Sequence, residues 1–275
     1  MAESRRATPP AACATLDPGT AEFYRCALRT LVDNEVPFLV GGAYSLERYT
    51  GIARHTKDFD IFVRQRDCHR ALRTLRIIGC TTDVTFTHWL GKAFRGDDFI
   101  DVIFSSGNGI AEVDDLWFEH AVDETVLDVP VQLCPPEETI WSKAFIMERE
   151  RYDGADVAHL MRAVGRRLDW RRLLSRFDGY WRVLLAHLTL FGFIYPTDRT
   201  SIPAWVVREL ASRLEHEAET SDEGPRVCRG TILSRGQYLV DVDQWGYRDG
   251  RLFDGRMSRR EVAHWTAAID GDAMH

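Results

Sequence analysis

The chain contains the stretch Phe38-Leu-Val-Gly-Gly-Ala43 and, a little further on, the stretch Thr56-Lys-Asp-Phe-Asp-Ile-Phe62. The first predicts a buried strand that runs into a glycine pair, and the second predicts a strand with two carboxylates one residue apart. Alternate residues of a strand share a face, so we expect Asp58 and Asp60 to point together and their hydrophobic neighbours to point the other way. The two stretches predict an acidic face beside a glycine-lined loop.

A third acid is expected on a later strand, Asp98-Phe-Ile-Asp-Val-Ile-Phe104. Its alternation predicts a buried face of hydrophobic residues, with Asp101 on the opposite face. An acid there is costly unless it is hydrated, paired or bound to metal. Three acids on neighbouring strands would repel one another unless a divalent cation lies among them.

This combination indicates phosphate chemistry. Gly41 and Gly42 would let a phosphate approach the backbone closely, and paired carboxylates are the ligands that magnesium prefers. We therefore expect Asp58, Asp60 and Asp101 to hold two Mg²⁺ ions, with Mn²⁺ as a substitute. The alternatives are a simple tight turn at the glycines and solvated acids on an exposed sheet face.

These residues resemble the nucleotidyltransferase superfamily, and within it the AbiEii-type, abortive-infection toxin-like branch. That branch adds a helix with a lysine, matched here by Lys143, and then an Asp-x-x-Asp segment, matched by Asp153 and Asp156. The resemblance covers residues 20 to 165. It implies an α+β fold with a nucleotidyltransferase-like mixed β-sheet core flanked by helices, followed by a helical region and a small β-hairpin and helix at the C-terminus.

The resemblance also implies an activity, the transfer of a nucleoside monophosphate from an NTP to an acceptor. Asp101 would also be placed to take the acceptor's proton, and Lys143 would neutralise charge on the transferred group. Asp153 and Asp156 would orient Lys143 or the acceptor, or would only stabilise a helix start. For Lys143 the alternative is a surface lysine on an amphipathic helix.

The nucleotide's phosphates are expected to meet the glycine loop and its surroundings. The resemblance assigns the β- and γ-phosphates to the backbone N–H groups of Gly41 and Gly42. Ala43 follows them where many members of the family carry a serine, so a hydroxyl contact to phosphate is missing. Arg54 and Lys57 are further candidates for phosphate contacts, with a solvated surface as the alternative for each.

Composition limits the possible partners. The chain has 275 residues and a formal net charge of −7, which argues against strong non-specific binding to nucleic acid. Its six cysteines form no Cys-x-x-Cys pair, which predicts reduced thiols in a cytoplasmic protein. The longest hydrophobic run, residues 183–195, is too short to span a membrane, so no membrane partner is expected.

The pattern along the chain predicts four parts: a flexible tail at 1–19, the nucleotidyltransferase core at 20–160, a helical region at 161–220 and a hairpin-plus-helix appendage at 221–275. The helical region begins with a dense run of arginines, which predicts either a solvated helix face or a surface for RNA. The appendage is expected to contain two paired strands, 227–233 and 238–242. A capping box, Ser258-Arg-Arg-Glu261, predicts its last helix.

Three kinds of function remain open. The first is an active enzyme whose acceptor is RNA such as tRNA, a protein or a small molecule. Such an enzyme would belong to a toxin–antitoxin or phage-defence system, with a cognate antitoxin or toxin protein as its partner. The second is a non-catalytic antitoxin or partner-binding module that keeps the fold. The third is an interaction protein in which the segment after Pro225 is the working part.

Overall fold

The computed structural model describes residues 16–54, 58–219 and 224–268. Within them a seven-stranded mixed sheet forms the centre of the molecule. Its strands are β1 (Leu39–Val40), β2 (Asp58–Phe62), β3 (Thr81–Phe86), β4 (Leu90–Arg95), β5 (Asp98–Ile103), β6 (Val122–Val126) and β7 (Val129–Leu133). The spatial order is β3-β4-β5-β2-β1-β7-β6, in which β2 runs parallel to β5, and β1 runs parallel to β7.

Helices flank this sheet. They are α1 (Pro18–Asp33), α2 (Gly42–Thr50), α3 (Gln65–Leu75), α4 (Asp115–Glu119), α5 (Pro136–Ala144), α6 (Gly154–Val164), α7 (Trp170–Phe177), α8 (Trp181–Ile194) and α9 (Ala204–Ala218). Single 3₁₀ turns occur at Arg76–Ile78, Gly165–Arg167, Asp178–Tyr180 and Arg199–Ser201. The predicted α+β core, a mixed sheet flanked by helices, is confirmed.

One face of the sheet packs against α1 and α3. Phe59 and Ile61 of β2 and Ile100 and Val102 of β5 are fully buried there. Because side chains alternate along a strand, the acids of β2 and β5 lie on the opposite face. A second hydrophobic cluster extends from that side through α4 and α5 to α9.

Two residues of the arginine-rich segment are mostly covered by neighbouring residues. Arg172 pairs with Glu137 at 2.5 Å and with Glu138 at 2.6 Å, and Arg176 pairs with Glu138 at 3.0 Å and with Asp114 at 2.6 Å. Both glutamates are buried in the first turn of α5. These pairs satisfy buried charges and attach α7 to α5, so Arg172 and Arg176 are not available to an RNA surface.

Two predicted features near the sheet are corrected. Helix α1 begins at Pro18, which lies within the predicted tail. The Asp17 side chain caps it by accepting hydrogen bonds from the N–H groups of Gly19 and Thr20. Residues 1–15 of that tail lie outside the described residues. The sequence pattern also predicts a single bent strand at 126–134, and the structure instead has the hairpin β6–β7. Its turn falls at Leu127 and Asp128, which both have positive φ.

The predicted C-terminal hairpin is wrong. Strand β8 (Val227–Cys228) pairs in parallel with β9 (Arg248–Asp249), and the segments predicted as strands contain the short helices α10 (Gly230–Leu233) and α11 (Leu239–Asp243). The Tyr238 ring packs so closely on Gly230 that no side chain would fit there, so packing overrides strand propensity. Helices α12 (Gly250–Phe253) and α13 (Arg259–Ala267) follow, and the predicted capping box at Ser258 is confirmed.

None of the described helices is both long enough and apolar enough to cross a membrane. The hydrophobic run at 183–195 forms most of α8, whose side chains at Leu184, Leu188 and Phe191 are buried in the core. Five cysteines are free thiols, and Cys13 lies outside the described residues.

Candidate active site

Three carboxylates converge on the sheet face opposite α1 and α3. The parallel register of β2 and β5 places Asp60 directly beside Asp101, and Asp58 lies on the same face of β2. One carboxylate oxygen from each residue lies within 4.8 Å of the other two. We call Asp58, Asp60 and Asp101 the acid cluster. Residues far apart in the chain thus form one group of oxygen ligands.

Burial and mutual repulsion both act on the carboxylates of the acid cluster. Burial, together with the charges of Asp58 and Asp101, raises the pKa of Asp60 to about 7. Burial also raises the pKa of Asp101, although Lys92 opposes this shift. A set of hard oxygen donors that repel one another in this way fits Mg²⁺ or Mn²⁺, which prefer carboxylate oxygens. Residues that suit a divalent cation are therefore present.

Lys92 on β4 is a member of this site that the sequence did not reveal. The antiparallel register of β4 and β5 places it opposite Asp101, with its Nζ 3.0 Å from Asp101 Oδ1 and 4.4 Å from the centre of the Phe99 ring. Its charge favours the ionised form of Asp101. Lys92 is identified only by the pairing of β4 with β5, because the residue pattern of a single strand does not show which residue lies opposite on the next strand.

The glycine pair lies directly against the acid cluster. Gly42 has φ +57°, and a Cβ atom there would lie 1.8 Å from Asp60 Oδ2, so only glycine fits. Gly41 precedes the first residue of α2, where no described side chain caps the helix. The N–H groups of Gly42 and Ala43, which is half-buried, therefore lie at the positive end of α2 beside the acids.

The expected role of Gly41 is corrected by one hydrogen bond. Its N–H donates to the backbone oxygen of Asp60 at 3.0 Å. That donor belongs to the pairing of the two central strands and is not available to a phosphate. Backbone donors for a phosphate are left to Gly42 and the residues that follow it.

A second group of charges is centred on Lys143. Its Nζ lies 2.8 Å from Asp153 Oδ2 and 2.8 Å from Asp156 Oδ2. Asp156 also pairs with Arg54 at 2.5 Å, and Asp153 accepts hydrogen bonds from Arg151 Nε and Nη2 at 3.0 and 3.1 Å. We call these five residues the charge chain. They alternate in sign, with cations at both ends and in the middle.

The charge chain lies within electrostatic reach of the acid cluster. The positive charges of Lys143 and Arg151 lower the pKa of Asp60, against the larger effects of burial and the neighbouring acids. The resemblance predicted roles for Lys143, Asp153 and Asp156, and Arg54 was predicted separately as a phosphate contact; the structure brings these four residues together. Arg151 was missed, although it lies only two residues before Asp153.

One predicted phosphate contact has no structural description. Lys57 lies outside the described residues, so its contact stays a prediction. Arg54 is described, and its guanidinium pairs with Asp156. Ser45, the nearest serine after Ala43, is buried and donates to the backbone oxygen of Gly42 at 3.2 Å. It therefore does not replace the missing serine hydroxyl.

Comparison with known proteins gave structural similarity alone, since no protein-family model and no curated sequence matches the chain. The antibiotic-resistance factor ANT(2'')-Ia is 12% identical at a TM-score of 0.41, over 74% of this chain and 98% of that one. A nucleotidyltransferase-like antigenic protein from Paracoccidioides brasiliensis is 14% identical at a TM-score of 0.44, over 66% and 93%. The lincosamide adenylyltransferase LnuA, bound to lincomycin, is 14% identical at 0.36, over 50% and 94%. At these scores the similarity carries no argument about substrate.

Proposed function

We propose that this protein is a divalent-metal-dependent nucleotidyltransferase that moves a nucleoside monophosphate from an NTP to an acceptor hydroxyl or phosphate. The observation that carries the proposal is the acid cluster, whose three carboxylates meet beside Gly42 at the start of α2. Nucleotidyl transfer needs these two parts together, a set of metal ligands and an anion site at a helix N-terminus.

In the proposed reaction, an acceptor oxygen attacks the α-phosphorus of the NTP. The bond from that phosphorus to the oxygen that bridges to the β-phosphate breaks, and pyrophosphate leaves. Asp101 takes the proton from the acceptor oxygen, and Lys92 stabilises the ionised form of Asp101 that can do so. Asp58 and Asp60 would hold two Mg²⁺ ions, with Asp101 completing the second site. Bound Mg²⁺ would neutralise charge on the phosphates and lower the pKa of the acceptor oxygen.

The formal charges around the site support this assignment. The acid cluster with Lys92 carries more negative than positive charge, whereas the charge chain has three cations and two carboxylates. Divalent cations would make the net charge of the acid cluster positive, so that both the acid cluster and the charge chain would attract a triphosphate. Without them the acid cluster would repel the substrate, so the proposed activity requires the metal.

The acceptor in this proposal is RNA such as tRNA, a protein or a small molecule. We propose an AbiEii-type role in a toxin–antitoxin or phage-defence system, with residues 20–160 carrying the transfer chemistry. The pairing of Arg172 and Arg176 with the buried Glu138 removes two cations from the surface on which an RNA acceptor would depend. All three kinds of acceptor therefore belong in the test.

The test incubates the protein with each α-labelled NTP, Mg²⁺ and separate pools of tRNA, proteins and small molecules. Label should move to one pool, and Asp60→Ala should abolish the transfer because one residue of the acid cluster is lost. The matched control is Asp98→Asn on the same strand as Asp101. Asp98 bonds to Thr20 at 2.9 Å and lies outside the acid cluster, so this variant should stay active.

Labelling by Asp60→Ala at a near wild-type rate would exclude the proposal. The non-catalytic alternative predicts that no pool is labelled by the wild-type protein. Calorimetry then separates the two cases, because Mg²⁺-dependent NTP binding is expected of an enzyme whose acceptor was missing from the pools.

A further inference from the structure

Lys143 and Arg151 occupy different environments within the charge chain. Lys143 has only 16% of its side chain exposed, and its ammonium group contacts both Asp153 and Asp156 at 2.8 Å. Arg151 is 66% exposed and directs Nε and Nη2 at Asp153. Within the described residues Nη1 of Arg151 donates no hydrogen bond. Lys143 is therefore enclosed by carboxylates, whereas Arg151 keeps a face open to solvent.

The loop that carries Arg151 is held at both ends. Met147 and Tyr152 form an isolated antiparallel bridge, and the N–H of Asp153 donates to the backbone oxygen of Ile146 at 3.1 Å. The bonds to Asp153 hold the guanidinium itself. A side chain oriented in this way loses little further freedom when it binds an anion.

The C-terminal segment supports the same loop from outside. The N–H of Met147 donates to the backbone oxygen of Leu233 at 3.1 Å. The Glu148 carboxylate accepts hydrogen bonds from Ser234 Oγ at 2.6 Å and from the N–H of Arg235 at 3.1 Å. The residues around α10 thus fix the first half of the loop, which leaves its second half to present Arg151.

We propose that Arg151 binds the triphosphate of the incoming nucleotide, while Lys143 acts mainly to hold Asp153 and Asp156 in place. This inference rests on the proposed function. Arginine suits the role because its planar guanidinium can keep two bonds to Asp153 and still donate to a phosphate oxygen. A lysine at this position would have to give up one of these partners. Helix α6 begins three residues after Arg151 and packs against α2, the helix whose start lies beside the acid cluster.

The experiment compares Arg151→Ala and Arg151→Lys with Arg149→Ala. Arg149 is a matched control in the same loop, because it is 82% exposed and, among the described residues, pairs only with the adjacent Glu150 at 3.7 Å. Calorimetry would measure three probes: Mn²⁺ alone, Mg²⁺ with tripolyphosphate, and Mg²⁺ with the α,β-methylene analogue of each NTP. Tripolyphosphate avoids any assumption about the base.

Arg151→Ala should weaken both phosphate probes by about 10- to 100-fold, the cost of a charge-assisted hydrogen bond. Arg151→Lys should fall between wild type and alanine, and Arg149→Ala should match wild type. Mn²⁺ alone should bind Arg151→Ala at least as tightly as wild type, because a cation near the acids has been removed. A collapsed site would bind Mn²⁺ more weakly, so the metal probe separates lost contact from lost structure.

Three results would overturn the assignment. Unchanged tripolyphosphate binding by Arg151→Ala would show that the residue does not contact phosphate. Weaker Mn²⁺ binding in Arg151→Ala would show that the residue maintains the acid cluster instead. If the wild-type protein bound neither phosphate probe, the proposed function itself would fail, and this assignment with it.

Discussion

Replacing Gly42 with alanine should damage the acid cluster far more than it damages the fold. Gly42 has φ +57°, where an L-residue costs about 1–2 kcal/mol. Its new Cβ would lie 1.8 Å from Asp60 Oδ2, and real Cβ atoms essentially never approach closer than 3.0 Å. The Asp60 carboxylate must therefore move away, and it would move by far more than the about 0.2 Å that a metal–ligand distance tolerates.

Gly51, at the other end of α2, provides the matched control. It has φ +72°, and a Cβ atom there would meet no atom of the described residues within 4 Å. Gly51→Ala therefore introduces a similar backbone strain without a contact to the acids. We expect both variants to lose about 1–2 kcal/mol of unfolding free energy, and only Gly42→Ala to bind Mn²⁺ at least about 10-fold more weakly.

The assay combines urea unfolding in EDTA with calorimetric titration of Mn²⁺. Urea unfolding measures the strain common to both variants, and the titration measures displacement of the Asp60 carboxylate. Equal Mn²⁺ affinity in the two alanine variants would refute the reasoning, because it would mean that Asp60 is not a ligand or did not move.

Two further predictions concern pH and the C-terminal segment. The pKa of Asp60 is about 7 in the folded protein, against an ordinary value of 3.8. Between these two pH values the metal-free native state holds a proton that the unfolded chain has released. The free energy of unfolding should therefore fall as pH rises from about 4 to 7. At about 1.4 kcal/mol per pH unit, the loss of unfolding free energy approaches about 4 kcal/mol. Urea unfolding in EDTA should show this loss in the wild-type protein and not in Asp60→Asn. The same pH dependence in Asp60→Asn as in wild type would contradict the assignment. Glu148→Ala and Ser234→Ala should each cost about 1–3 kcal/mol. Their costs should combine non-additively in a double-mutant cycle, because each variant removes one partner of the same 2.6 Å bond. Additive costs would contradict that contact.

Local patterns in the sequence predicted the acid-bearing strands correctly. Alternation along a strand is a property of neighbouring residues, so Asp58 and Asp60 could be assigned to one face and the buried Phe59 and Ile61 to the other. The glycine pair at the start of α2 was an equally local signal, since a positive φ at Gly42 strongly favours glycine. The mixed sheet core flanked by helices followed from the resemblance that these motifs carry.

Prediction was weaker where local propensity competes with packing. The C-terminal segment has strand-like composition, yet α10 begins at Gly230 under the ring of Tyr238. The arginine-rich segment looked like a continuous exposed face, but Arg172 and Arg176 turn inwards to pair with the buried Glu138. No pattern within either segment contains these partners, because each partner lies elsewhere in the chain.

The sequence alone determined which acids share a face of their strand and which glycine precedes the helix. The tertiary structure decided that β2 lies parallel to β5 with Asp60 beside Asp101, and that β4 brings Lys92 to the same place. It also decided that Arg151 is the more exposed end of the charge chain. The reason is that side-chain direction depends on adjacent residues, whereas strand register and ion-pair partners depend on how the whole core packs.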